Sequence, residues 1–228
     1  MSLEDRIKLH EKASQNVLPP RMPIIARVDG CHFSSYTKGL KTPFSINLHN
    51  CLKAAAEKVT SEIGQIRVTY LFSDECSWLI TPYNRFSSEA PYGGRLDKLN
   101  SIISSIFTAE FNKIAQTIGV MQNKPNAYFD CRCFPLPKEE VANYFLWRYR
   151  DCKQNAILNL GQSHFSQNEL NGIKPDQILT MLSAGEYEES PNEFKFGHIR
   201  IKAISGAATP FDEAMKLIEL VTYYQEEK

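Results

Sequence analysis

Two apolar runs, Ile66 to Phe72 and Cys76 to Thr81, are separated only by Ser73-Asp74-Glu75. Both are rich in residues that suit extended backbone. A link of this length joins antiparallel neighbours, because a parallel crossover needs a dozen residues or more. The pair is therefore read as a hairpin, and the rest of the chain has to supply what pairs with it and covers it. Ile24 to Val28 is a further extended run, entered after Pro19, Pro20 and Pro23, and Ala127 to Phe134 is another. Residues 45 to 63 have helical spacing, with Leu48, Leu52, Ala55, Ala56 and Val59 on one side and Gly64 as the stop. Residues 96 to 118 repeat the pattern through Leu99, Ile103, Phe107 and Phe111, and residues 138 to 160 follow Pro137 as a third long helix.

The order is thus β-α-β-β-α-β with a helix after it. This predicts an α+β fold: a ferredoxin-like antiparallel sheet with helices on one face. Residues 3 to 16 form an N-terminal helix, capped by Ser2 with Asp5 completing a capping box. Short helices are expected at 167–171 and 175–183, strand-like alternation at 194–204, and a terminal helix at 210–226. The acidic stretch Glu186 to Pro191 reads as a solvated loop. Residues 1–160 are taken as the catalytic domain with its N-terminal helix. Residues 161–228 are taken as a small helical and hairpin extension packing on it.

With 228 residues and 43% hydrophobic content, the chain can bury a real core. Its 26 basic and 26 acidic residues cancel, so a nucleic-acid partner needs a local basic surface. The six cysteines include no CxxC pair and read as reduced intracellular thiols. No apolar run is long enough to span a bilayer, and the N-terminus is charged. The expected location is the cytoplasm, with no membrane partner.

Asp29 and Asp74 each close an extended segment at its C-terminal end. If the first two strands lie side by side, both carboxylates reach one edge and suit a hard divalent cation such as Mg²⁺, with Gly30 allowing close backbone approach. Taken alone, Asp29-Gly30 is also an ordinary turn signal. Cys31-His32-Phe33-Ser34-Ser35 can open a short helix whose N–H groups face a triphosphate, and Lys38 can add a point charge. Glu75 begins a strand where Glu is disfavoured, which suggests an auxiliary ligand. In the 138–160 helix, Arg148, Cys152, Asn155 and Asn159 make a polar stripe. Trp147-Arg148-Tyr149-Arg150 interleaves aromatics with cations, a composition suited to RNA phosphates and stacked bases. A solvent face with an Arg148–Asp151 ion pair explains the same residues. Cys131 and Cys133 share a strand face without the further ligands that zinc needs, and His32, His49, His164 and His198 lack metal-ligand spacing.

Across most of residues 22 to 185 the chain resembles the tRNA(His) guanylyltransferase family and its guanylyltransferase-like 3′-to-5′ polymerase relatives. The motifs are Arg27-Val28-Asp29-Gly30 with Phe33, Thr37-Lys38-Gly39-Leu40-Lys41-Thr42-Pro43-Phe44 and Ser73-Asp74-Glu75. They continue with Gly93-Gly94-Arg95-Leu96-Asp97-Lys98-Leu99, Phe129-Asp130-Cys131-Arg132 and Tyr144-Phe145-Leu146-Trp147-Arg148. The resemblance implies a polymerase-palm domain that adds nucleotides to the activated 5′ end of tRNA, with ATP and GTP as substrates and a homotetramer as the assembly. It implies two Mg²⁺ ions held by Asp29, the Gly30 carbonyl and Asp74, with Glu75 assisting. Gly30, Cys31, His32, Phe33, Lys38 and Ser73 would hold the nucleotide, and Arg27, Lys98 and Arg132 a further triphosphate or the 5′ end. Arg148, Arg150, Lys153 and Asn155 are expected on the tRNA. The family's His-Ile-Asn-Asn segment is Lys153-Gln154-Asn155-Ala156 here, and Phe72 stands where the family has Gln. A non-catalytic RNA-binding palm and a nucleotide cyclase are the other readings of this pattern.

Overall fold

The structure is a computed structural model and describes residues 1–118, 124–183, 185–202 and 211–223. The helices are α1 (Leu3–Ala13), α2 (Phe33–Tyr36), α3 (Ile46–Glu62), α4 (Leu96–Thr117) and α5 (Lys138–His164), then α6 (Gln167–Leu170), α7 (Pro175–Met181), α8 (Glu186–Glu189), α9 (Asn192–Phe196) and α10 (Phe211–Tyr223). The strands are β1 (Ile24–Gly30), β2 (Ile66–Phe72), β3 (Glu75–Ile80), β4 (Phe129–Pro135) and β5 (His198–Ile201). They form one sheet in the order β4-β1-β3-β2-β5, each neighbouring pair antiparallel. The β-α-β-β-α-β order is therefore observed. So are the Ser2–Asp5 capping box on α1 and the Ser45 cap on α3.

Strand pairing departs from expectation in one respect that matters for the site. β1 and β2 are not neighbours: β3 is inserted between them, with Val28 opposite Cys76 and Leu71 also opposite Cys76 on the other side. The hairpin places β3 antiparallel to β2, and β1 can then accept β3 on one edge and β4 on the other. β1 and β2 consequently run the same way, and the 73–74 turn stands at the end of the sheet where β1 also finishes.

Helices cover both faces of the sheet, not one. On the first face Ala26, Val28, Trp78 and Ile80 pack against Leu52, Ala55 and Val59 of α3 and Leu99, Phe107 and Phe111 of α4. On the second face Ile25, Val68, Tyr70 and Leu79 pack against Val141, Tyr144 and Phe145 of α5 and Ile218 of α10. All six residues of β3 are buried. The second cover follows from composition: neither side of these strands is polar, so each has to be taken from water. Each large apolar side chain so buried contributes on the order of 1.5–3 kcal/mol.

The C-terminal part joins this core. α5 runs unbroken through residue 160, its far half packs against α7 and α9 around Ile178 and Phe194, and β5 pairs with β2 in the main sheet. The expected strand at 194–204 is shorter. Residues 194–196 belong to α9, and Gly197, at φ 75° with no room for a Cβ beside Leu71 O (2.8 Å), turns the chain into β5. Positions 203 and 204 lie outside the described residues, as do 210 and 224–226 of the expected terminal helix. The 186–189 stretch, read as a loop, is a short helix. Among the described residues no helix is long and apolar enough to cross a membrane.

Candidate active site

β1 ends on Asp29 and Gly30, and the register with β3 sets the Ser73–Asp74 turn beside them. Ser73 adopts φ 48°, which tightens the turn, and its Oγ donates to Asp74 Oδ1 at 3.0 Å. The other carboxylate oxygen lies against the β1 backbone: a Cβ on Gly30 would stand 2.6 Å from Asp74 Oδ2. Only glycine permits this approach. Burial pushes the Asp74 carboxyl above its ordinary range, and the charge of Asp29 pushes it further. Asp29 at the end of β1 and Asp74 on the turn thus stand at one end of the sheet, near enough for the first charge to act on the second, although the strand beside β1 is β3 and not the expected β2. Among the described residues no group of three or more His, Cys, Asp or Glu side chains is arranged to hold a metal. The donors on offer are this carboxylate pair and the Gly30 carbonyl.

A cavity of about 660 Å³ opens beside Asp74. Gly30, His32, Phe33 and Ser73 line it, as expected of nucleotide contacts. The side chain of Phe33 has a second task. It is buried against Phe111 and Phe129, at ring distances of 5.9 and 5.4 Å, and so anchors α2 to the core. His32 supplies the left-handed residue, φ 52°, that turns β1 into α2. Cys31 and Lys38 are not part of the lining. The Cys31 N–H donates to Tyr128 O at 2.8 Å, and the Lys38 carbonyl accepts Lys124 Nζ at 2.6 Å, so the two ends of this segment are tied to the 124–128 stretch while His32, Phe33, Ser34 and Thr37 between them face the cavity. Lys41, three residues on, lines the cavity in place of Lys38.

The opposite wall is α5. Cys152, Asn155 and Asn159, the polar stripe of the sequence, line the cavity together with Gln162. Asn155 therefore faces the proposed nucleotide space, whereas Arg150 and Lys153 are exposed on the same helix. His49 of α3, which the sequence marked only as a histidine without metal-ligand spacing, also lines the cavity from an apolar helical face. It is buried, its Nε2 has no hydrogen-bond partner among the described residues, and burial lowers it to about 4, with nearby His198 adding to the effect.

Behind the acidic turn lies an ion network. Glu75 is buried and its Oε2 accepts from Arg148 Nη1 at 2.8 Å, while Arg27 Nη1 stands at 3.9 Å. Burial raises Glu75 to about 7, against the opposing pull of Arg148 and Arg27. Arg148 also meets Asp151 at 3.2 Å and stacks on the Trp147 ring at 3.6 Å. The Arg148–Asp151 pair is present, but not on a solvent face: Arg148 is 5% exposed. Arg132 is exposed, sits opposite Arg27 on β4 and pairs with Asp130 at 3.3 Å. Lys98 is exposed in the first turn of α4, on the helix that covers the other face of the sheet. Of the three expected 5′-end cations, Arg27 and Arg132 are thus cross-strand neighbours, and Lys98 stands on a separate element. Cys131 and Cys133 share the first-face core with their Sγ atoms 3.9 Å apart, and His164 pairs with Glu186.

Comparison with known proteins bears directly on this site. The family model described as tRNA(His) guanylyltransferase matches residues 4–137. The tRNA(His) guanylyltransferase of Candida glabrata is 27% identical over 190 residues, covering 80% of this chain and 77% of the relative. A bacterial tRNA(His) guanylyltransferase-like protein solved in complex with ATP superposes with a TM-score of 0.91 at 33% identity, over 97% of this chain and 100% of the other. A structure of a bacterial protein of the same description, solved with GTP, gives 0.82 at 31% identity with the same coverage.

Proposed function

The chain belongs to the tRNA(His) guanylyltransferase family, and we propose that it is a 3′-to-5′ nucleotidyltransferase that extends the activated 5′ end of tRNA. Members of this family are nucleotidyltransferases acting on tRNA. The observation that carries the proposal is the contact of Asp74 with the Gly30 backbone, beside Asp29, at the wall of a cavity of about 660 Å³. That volume suits a nucleoside triphosphate. The ATP and GTP complexes of the bacterial guanylyltransferase-like structures support the same occupant.

The donor set fits Mg²⁺. Two carboxylates, one held above its ordinary range by burial and by the other's charge, offer anionic oxygens, and the Gly30 carbonyl adds a third hard oxygen. Asp29 and Asp74 would each hold metal, and Glu75 would brace the turn from behind. Mg²⁺ held by these oxygens would supply Lewis-acid activation of the attacking 3′-hydroxyl and countercharge for the departing phosphates. The chain's own groups supply position. Ser73, His32 and the α2 backbone line the space for the triphosphate, and Asn155 and Asn159 close it from α5. Arg132, Arg150 and Lys153 are exposed cations available to RNA phosphates, and Arg27, with Trp147 near it, lies at their base. The sheet is read as a polymerase palm, the working assembly as a homotetramer holding tRNA across subunits, and the compartment as the cytoplasm.

The test is a tRNA lacking its first nucleotide, incubated with the protein, ATP, the four nucleoside triphosphates and Mg²⁺. A product lengthened at its 5′ end is expected, and Asp29→Ala and Asp74→Ala should each abolish it. Folded protein that adds nothing, or an active variant at either position, defeats the reading. The same incubation without RNA, examined for a cyclic nucleotide, separates this activity from that of a cyclase.

A further inference from the structure

We infer that Arg148 is a positioning residue for the metal-bearing turn, holding Asp74 in place through Glu75, and that it does not contact RNA. The inference rests on the proposed metal site and goes beyond it. Its basis is the occupancy of the guanidinium. Nη1 is engaged by Glu75 Oε2 at 2.8 Å, Nη2 by Asp151 Oδ2 at 3.2 Å, and one flat face by the Trp147 ring at 3.6 Å. The side chain is 6% exposed. Nε has no partner among the described residues but is itself buried, so the guanidinium offers no accessible donor edge to a phosphate, although the family resemblance implied a place for this residue on the tRNA.

The linkage has a direction. Asp74 and Glu75 are consecutive, and Asp74 lines the cavity while Glu75 reaches back to α5. Fixing Glu75 therefore fixes the turn from its rear. α5 is also the far wall of the cavity, through Asn155 and Asn159, two and three helical turns beyond Arg148. One buried ion pair thus sets the separation between the carboxylate that would hold metal and the wall that would hold the nucleotide. The fork matters as well as the charge, because a lysine has one nitrogen with which to reach two carboxylates lying in different directions. Arg27, 3.9 Å from the same Glu75 oxygen, adds charge without taking over the bond.

The experiment uses the full chain and two binding measurements. One is calorimetric titration with ATP across a Mg²⁺ series. The other is tRNA binding with EDTA and no nucleotide. Arg148→Met is expected to raise the Mg²⁺ concentration needed for half-maximal ATP binding by about tenfold or more, as loss of a residue that orients a ligand does. Its tRNA affinity should stay within about twofold of wild type, a change equivalent to about 0.4 kcal/mol. Arg148→Lys should retain part of the Mg²⁺ response. Glu75→Gln, nearly isosteric, should reproduce the Mg²⁺ shift, and the double variant should lose no more than the worse single one, because the two act as a unit. A residue that merely packs would lower the melting temperature of the folded protein without moving the Mg²⁺ dependence. A tenfold loss of tRNA affinity in Arg148→Met, an unmoved Mg²⁺ dependence, or additive single effects overturns the inference. If Arg148→Met does not fold, Glu75→Gln decides the Mg²⁺ arm. Wild-type protein that binds no Mg²⁺-dependent ATP defeats the proposed function instead, and the tRNA arm still judges whether Arg148 touches RNA.

Discussion

Replacing Gly30 with Ala strikes the site at its narrowest point. The new Cβ would stand 2.6 Å from Asp74 Oδ2 and 2.7 Å from both Cβ and Cδ2 of Phe33, where ordinary contact begins at 3.4 Å. About 0.8 Å has to be found on the Asp74 side (3.4 less 2.6). Gly30 is not in the left-handed region, so alanine can adopt its backbone and the conflict is purely steric. Phe33 cannot yield easily, since its Cβ is fixed by the chain and its ring is locked between Phe111 and Phe129. Asp74, a short side chain tethered to Ser73 Oγ, moves first. Crowding of this kind costs about 1–3 kcal/mol of stability. That corresponds to a melting temperature lower by roughly 2–12 °C in a chain of this size, with the fold retained. The functional cost is larger. Displacing a catalytic group by about 1 Å costs on the order of 10²-fold in rate. The assays are 5′ nucleotide addition and Mg²⁺-dependent ATP binding on the folded variant. Alanine at this position with wild-type values in both would refute the argument that Asp74 works against the Gly30 backbone.

Three other outcomes follow from the same geometry. Asp74→Asn should abolish addition yet raise the melting temperature of the metal-free protein, because it removes a charge that burial and Asp29 both disfavour; a lower melting temperature would contradict that account. His49 is held at about 4 when folded against 6.5 in the open chain, so the unfolded state takes up the proton first as pH falls, and stability present above 6.5 drains away down to about 4. At pH 5 the loss is about 2 kcal/mol, and urea titrations at pH 7 and pH 5 should show His49→Phe losing correspondingly less than wild type. Gly161→Ala puts a Cβ 2.7 Å from Cγ2 of the fully buried, β-branched Ile178, so overpacking should outweigh the gain of about 1 kcal/mol in helix propensity. A higher melting temperature for that variant would show that α7 moves aside.

Local chemistry explains which parts of this architecture could be read from the chain. The 66–81 hairpin, the capped α1 and the long α3, α4 and α5 each carry their own periodicity and punctuation, and they stand within a few residues of where those signals put them. What could not be read depends on which element lands beside which. β1, β2 and β3 have apolar residues on both sides, which calls for a cover on each face but does not say which helices supply it. The polar stripe of α5 has the spacing of a solvent face. It becomes a cavity wall because α5 packs on the sheet and on α7 and α9, with Arg148 drawn inward by Glu75, 73 residues earlier. Lys38 and Lys41 are equivalent as charges, and only the path of the 37–45 loop selects Lys41. His49 carries no motif at all, and its importance comes from burial at the cavity edge.

α5 starts at residue 138, immediately after the stretch that the family model matches. Severing the chain there would bare Ile25, Val68, Tyr70 and Leu79 along one whole side of the sheet and strip the Arg148 partner from Glu75. The shorter piece would keep both aspartates but have a sticky, unpaved flank, and it should clump during expression. Anyone trimming this molecule to a minimal enzyme has to cut after the long helix, not before it.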